Sequence, residues 1–250
     1  MTDRQAIPEP IKREVRQRCY FGCVICGAPV YQYEHIEEYS TVQEHEVSNI
    51  TLLCPNHHQD KTSKRISKEI IKQKTDSPFN KSQSFSTPYK LFLGGKSVNL
   101  RVGGNQYKFE FSNGRNKFNA VRVNGRSVVG LQNENGSLLL NLCMTDKAGN
   151  EILNVKEGEL EVSTEIWDFQ YEGNKMRIRS QPRDIEFDML LLSDGVQINR
   201  GYFSVPPLAL EILPDQHIIW PNNIRMMGSM VIGCRVGLDV EDGSMKIGSA

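Results

Sequence analysis

Cys23 and Cys26 form a C-x2-C pair, and 28 residues beyond Cys26 the run Cys54-Pro55-Asn56-His57 supplies a second pair with the same gap. A two-residue gap lets both side chains of a pair turn onto one ion, and three thiolates with one imidazole suit tetrahedral zinc. A single C-x2-C is weak by itself, but two pairs flanking a short segment predict a structural zinc held by Cys23, Cys26, Cys54 and His57. Cys19, four residues before Cys23, is poorly spaced as a ligand and reads as a buried thiol at the end of a helix.

Between the two pairs lie Tyr33-Glu34-His35-Ile36 and Ser48-Asn49-Ile50-Thr51-Leu52-Leu53-Cys54, and His58 follows the second pair directly. The order of C-x2-C, an acidic residue before His-Ile, then Asn-Ile-x-Leu-Leu-Cys-Pro-Asn-His-His resembles the HNH endonuclease family in its zinc-containing form. The resemblance spans roughly residues 9–66. It implies two β-strands and a helix around a catalytic divalent cation such as Mg²⁺, with a structural zinc pinning the ends. It also implies that His35 is the general base, Asn49 the orienting asparagine, and His58 with Glu34 the ligands of the catalytic cation. The chemistry agrees: phosphodiester hydrolysis needs a deprotonated water and a cation to neutralise charge on the leaving oxygen. Two positions depart from the family pattern, Glu34 where many members have aspartate and Thr62 where another metal-binding residue is common. His45, in Glu44-His45-Glu46, reads as a solvated loop histidine, with an approach to the metal or the DNA as the alternative.

These groups must be held by short elements. Residues 8–17 predict a proline-initiated helix with Ile11 and Val15 on one face and a basic opposite face. Residues 55–74 predict a helix whose second part, 61–74, carries six basic residues and one acidic. Lys61, Lys64, Arg65 and Lys68 are therefore expected along a nucleic-acid backbone, with a solvated face as the plainer alternative; Arg13, Arg16 and Arg18 carry the same two readings. The whole chain has 30 basic and 30 acidic side chains, so any attraction to nucleic acid has to be local. Residues 75–89 are rich in Ser, Pro, Asn and Gln without apolar periodicity and predict a linker. No apolar run suits a signal peptide or a membrane span, which predicts a cytoplasmic protein without a membrane partner.

Beyond residue 90 the pattern changes to short alternating runs such as VNLRV, YKFEF, AVRV, LLLNL and MRIRS. They are separated by Gly103-Gly104, Asn113-Gly114, Asn124-Gly125, Asn135-Gly136 and Gly173-Asn174, the punctuation of antiparallel hairpins. Asp146-Lys147-Ala148-Gly149-Asn150 reads as a further hairpin turn, Trp167 and Trp220 as core or rim aromatics, and Cys143 and Cys234 as buried thiols; His217 has no partner at ligand spacing. The expected class is thus α+β: a ββα-metal module at 1–74, a linker at 75–89, and an all-β sandwich, barrel or meander at 90–250. The expected function is hydrolysis of DNA phosphodiester bonds in a defence or restriction setting. RNA is the alternative substrate, and zinc-dependent nucleic-acid binding without cleavage the alternative role. The β domain would serve recognition, a regulatory ligand or homo-oligomer assembly.

Overall fold

The computed structural model describes residues 6–94, 97–112, 115–193 and 195–249. It divides into two compact units: the chain up to Tyr89 together with Val162–Tyr171, and Lys90–Glu161 together with the chain from Glu172 onward. Among the described residues no helix is long and apolar enough to cross a membrane.

The first unit starts with α1 (Glu9–Arg18), which follows Pro8, has Glu9 in its first turn and Arg16 and Arg18 in its last, the charge order that opposes the helix dipole. Val15 is buried as expected, but the basic residues read as facing phosphate or solvent are not all at the surface. Arg16 is fully buried: its Nε donates to Asp168 Oδ1 at 2.7 Å, its Nη2 to Asp168 Oδ2 at 2.9 Å and its Nη1 to the Tyr33 hydroxyl at 2.6 Å. Burial works against the guanidinium charge, and the bond to Asp168 overcomes it, holding Arg16 protonated above its usual range. The returning segment Val162–Tyr171 is fastened further by Gln17 Nε2 donating to Trp167 O at 2.8 Å and by the Tyr31 hydroxyl donating to Phe169 O at 2.8 Å. The Arg13 guanidinium lies 5.0 Å from the centre of the half-buried Trp167 ring.

Strands β1 (Gln32–His35) and β2 (Ile50–Leu53) form an antiparallel pair that sets Glu34 opposite Thr51 and His35 opposite Ile50. A short helical turn, α2 (Tyr39–Val42), lies between them. All of β2 is buried, as are Val15, Val24 and Ile71 of the same unit, and Val24 N donates to Leu52 O at 3.0 Å. The single helix expected over 55–74 is two: α3 (Pro55–Thr62) and α4 (Lys68–Asp76). The break is local chemistry. The Ser63 hydroxyl donates back to Gln59 O at 2.7 Å, Lys64 takes a left-handed φ of 59°, and the Ser67 side chain caps α4 by accepting from Ile70 N.

Residues 75–89, expected as a linker, fall within the first unit and are bonded into it. Thr75 Oγ1 donates to Thr51 Oγ1 at 2.8 Å, buried Asn80 donates to Tyr20 O and Gly27 O at 3.1 Å each, and Thr87 Oγ1 donates to Cys26 O at 2.7 Å. The polar composition that suggested a linker is used for side chain to backbone bonds around the first cysteine pair.

The second unit is built on the two large sheets, and the alternating runs lie in strands apart from Phe111 at the end of YKFEF. One sheet carries Lys117–Val123, Arg126–Glu134, Ser137–Thr145 and Glu151–Lys156 as a meander; the other carries Lys175–Gln181, Asp184–Leu192, Gly195–Val205, Leu208–Leu213 and Gln216–Trp220. Asn124-Gly125 and Asn135-Gly136 make hairpin turns with both residues at positive φ, where only Asn and Gly fit at small cost. The Asn113-Gly114 turn lies outside the described residues. Asp146 closes its turn through Oδ1 on Asn150 N at 2.9 Å, as the hairpin reading expects. Not every pairing is antiparallel: Val236–Glu241 runs parallel to Lys117–Val123, and Ser97–Val102 parallel to Gly195–Val205. Cys143 and Cys234, expected to be buried, are both half-buried, because Cys143 sits at an outward position of its strand and Cys234 in the loop between Met230–Ile232 and Val236–Glu241.

Candidate metal centre

The first cysteine pair sits on a tight turn in which Cys23 N donates to Ala28 O at 2.9 Å and Gly27 N to Cys23 O at 2.8 Å. Gly27 has a φ of +75°, and a Cβ there would strike Asn80 and Thr87, so glycine is required. The second pair straddles the start of α3: Cys54 is its N-cap residue, with Pro55 following, and His57 lies in the first turn. The four ligand atoms of Cys23, Cys26, Cys54 and His57 lie within 4.8 Å of one another. Cys26 Sγ is 3.8 Å from Cys54 Sγ, while His57 Nδ1 is 3.2 Å from Cys54 Sγ and 3.4 Å from Cys23 Sγ. A tetrahedron of zinc–sulfur bonds of about 2.3 Å has edges of about 3.8 Å, slightly shorter towards nitrogen, so the donors already stand near ligand spacing. Thiol hydrogen bonds from Cys23 and Cys26 hold Cys54 far below the usual thiol range, and the same crowding pushes Cys23 up. The four residues form a candidate metal site consistent with zinc. Cys19 stays outside it, fully buried with its Sγ 3.9 Å from Thr51 Oγ1.

The second group of predicted residues gathers where β1 meets α3. His57 and His58 are consecutive on the helix and so point about 100° apart around its axis. His57 faces the sulfurs, whereas His58 Nε2 lies 2.7 Å from Glu34 Oε2. The carboxylate oxygen and the imidazole nitrogen converge at side-chain exposures of 15% and 33%, and both are donor types that could hold a divalent cation. Thr62, at the position where the family often has a further ligand, turns its hydroxyl onto its own helix and donates to His58 O at 3.0 Å.

Asn49 acts on the backbone next to His35. Its Oδ1 accepts from Glu37 N at 2.7 Å, its Nδ2 donates to Glu37 O at 3.1 Å, and its own carbonyl accepts from Ile36 N at 2.8 Å. This fixes the chain that carries His35. The His35 side chain itself is enclosed: the residue is only 2% exposed, and its ring centre is 5.3 Å from those of both Tyr39 and His45. His45, expected in solvent, is half-buried, stacks on Tyr39 at 4.7 Å and places Nδ1 3.2 Å from His35 Nε2.

The basic residues separate. Lys61 was expected on a phosphate-facing surface and is instead buried: its ammonium donates to Glu34 Oε1 at 2.5 Å, to His35 O at 2.7 Å and to Glu38 Oε1 at 3.2 Å. Lys64 is exposed, Arg65 pairs with Asp60 at 2.7 Å, and Lys68 pairs with exposed Glu37 at 2.8 Å, a contact that raises the Lys68 pKa. Arg16 is spent on Asp168, and Arg18 donates to Ile50 O at 2.5 Å. Glu38, Tyr39 and Asp168 carry no sequence signal, since they meet their partners only through the fold.

Two antiparallel strands and a helix, framed by a Cys3His cluster that could hold a metal and carrying a Glu–His pair, make up a small ββα arrangement. Consistently, the family model described as HNH endonuclease matches residues 23–64. No curated protein and no solved structure matches the chain.

Proposed function

We propose that the first unit is a metal-dependent HNH endonuclease that hydrolyses DNA phosphodiester bonds. The observation that carries this reading is the 2.7 Å approach of Glu34 Oε2 to His58 Nε2, one residue along α3 from the donor His57 gives to the Cys3His cluster. A divalent cation there would neutralise charge on the phosphate and the leaving oxygen. His35 takes the proton of the attacking water at a ring nitrogen, and Asn49 holds the backbone that aims it. Because Tyr39 and His45 cover His35, the 39–45 segment has to part from it before a phosphate can reach the base. Lys64 and, after exchange of their carboxylate partners for phosphate, Arg65 and Lys68 supply sequence-independent contacts to the nucleic-acid backbone. Zinc at the cysteine cluster is structural in this reading. The second unit serves recognition or regulation, and a cytoplasmic defence or restriction role follows only by analogy with two-part nucleases.

The enclosure of His35 favours one second reading, a module that binds nucleic acid without cutting it. Incubating the protein with supercoiled plasmid, single-stranded DNA and RNA across Mg²⁺, Mn²⁺, Ni²⁺ and EDTA separates the readings. Metal-dependent nicking of plasmid that disappears in His35→Ala and in His58→Ala supports the nuclease. Retention of DNA with no cleavage in any metal supports the binding module, and cleavage of RNA alone moves the substrate class.

A further inference from the structure

Lys61 is the least expected member of the site. Its side chain is 6% exposed, and the three donors of its ammonium meet three acceptors, Glu34 Oε1, the His35 carbonyl and Glu38 Oε1. Glu34 is therefore divided: one oxygen faces a fixed positive charge, and the other faces His58 Nε2. A cation sharing Oε2 with His58 would stand close to that ammonium, whose three donors are all engaged where it is. We propose that Lys61 is a positioning residue that limits the cation affinity of the Glu34–His58 pair: it holds Glu34 so that only Oε2 is offered, and its charge keeps the divalent ion exchangeable. This rests on the reading of Glu34 and His58 as the cation site. It makes the two metal positions behave differently. The Cys3His cluster retains its ion permanently, while the Glu34–His58 pair fills only when free divalent cation is abundant, so that cation concentration gates the activity.

The size of the effect follows from Coulomb's law. A single charge about 5 Å from a divalent ion weakens binding roughly tenfold or more even under water-like screening. The test is direct titration of Mn²⁺ alone into the full, zinc-replete chain, followed by the electron paramagnetic resonance signal of free Mn²⁺. Zinc content and thermal melts are recorded for each variant. Lys61→Gln keeps amide donors for Glu34 and the His35 carbonyl but removes the charge, and is expected to tighten Mn²⁺ binding about tenfold. Lys61→Met should tighten it similarly where the fold survives, and Lys61→Arg should stay within about threefold of the parent, since it restores the charge. A Lys61→Gln protein with intact zinc whose Mn²⁺ affinity is unchanged or weaker overturns the inference while leaving the site reading in place. A parent that binds no Mn²⁺, or whose binding survives in His58→Ala, overturns the site reading and the inference with it.

Discussion

Replacing His57 and His58 one at a time by alanine should give two different failures, although the residues are neighbours. His57 Nδ1 stands 3.2 Å from Cys54 Sγ and 3.4 Å from Cys23 Sγ, so His57→Ala removes one of four donors. Structural zinc contributes on the order of 10 kcal/mol in small modules. Losing one ligand of four, with three crowded thiols left behind, should then cost several kcal/mol, a large part of the ~5–15 kcal/mol by which a domain is stable. His58 is 33% exposed in its side chain and gives up a single bond to Glu34, which keeps its contact to Lys61. After allowance for solvent screening His58→Ala should cost under about 1 kcal/mol. Zinc content by elemental analysis, thermal melts and Mn²⁺ titration read the difference. His57→Ala should purify with little zinc and a protease-sensitive first unit; His58→Ala should keep zinc and melt near the parent, yet lose Mn²⁺ binding and cleavage. His35→Ala should keep both metals and lose cleavage alone. If His58→Ala proves to be the zinc-poor, unstable protein and His57→Ala the folded, inactive one, the assignment of the two histidines is refuted.

Asp168→Ala leaves the fully buried Arg16 charge without its carboxylate and should destabilise the first unit by about 3–5 kcal/mol in urea melts, whereas replacing both Arg16 and Asp168 with apolar residues should cost much less. Asn49→Ala removes both side-chain bonds to the Glu37 backbone; cleavage should fall at least tenfold with zinc content unchanged, and amide exchange at Glu37 should quicken, so normal activity would dismiss Asn49 as the residue that holds the His35 segment. His217 is buried and neutral in the second unit, its pKa pushed down to about 4 by burial against an ordinary value of 6.5. The unfolded chain therefore takes up this proton first, and the stability it confers is complete above about pH 6.5 and lost as the pH falls towards 4; the loss at pH 5 is about 2 kcal/mol. Urea midpoints at pH 7 and pH 5 should show this drop in the parent and a smaller one in His217→Gln.

The chemistry-bearing residues were legible because each depends on spacing within a few positions. The two-residue gaps at Cys23–Cys26 and Cys54–His57 and the adjacency of His57 and His58 fix which atoms can meet, and the structure brings those atoms together. Hairpins marked by Asn-Gly were legible for the same reason, since the turn chemistry lies in two residues. What was not legible depends on partners far along the chain. Nothing near Arg16 announces Asp168, 152 positions away, so a buried ion pair passed for a basic face. The parallel pairing of Val236–Glu241 with Lys117–Val123 is equally silent, because alternation reports which face of a strand is buried and not which strand lies beside it. The polar composition of 75–89 predicts a linker, whereas Asn80 and Thr87 bond to backbone carbonyls, and composition cannot tell those two uses apart. Ser67 did offer a signal: a serine within a basic run is a poor helix interior and a good N-cap, which is how it serves.

The Cys3His cluster and the Glu34–His58 pair are joined through one short element. Cys54 ends β2 and caps α3, so an ion bound by Cys54 Sγ and His57 Nδ1 fixes both the start of the helix and its rotation about its own axis. His58 is the next residue and inherits that rotation. Glu34 is placed from the other direction, through the register that sets it opposite Thr51, three residues before Cys54. Both arms of the Glu34–His58 pair are thus referred to the same few residues of backbone around Cys54. This explains how a 2.7 Å approach can be held by a hairpin of four-residue strands and an eight-residue helix, elements too short to be stable alone. In the proposed reading, zinc at the cluster would act without touching substrate, as the reference point that sets the geometry of the Glu34–His58 pair, and any change that loosens it should move His58 away from Glu34 before the rest of the unit unfolds.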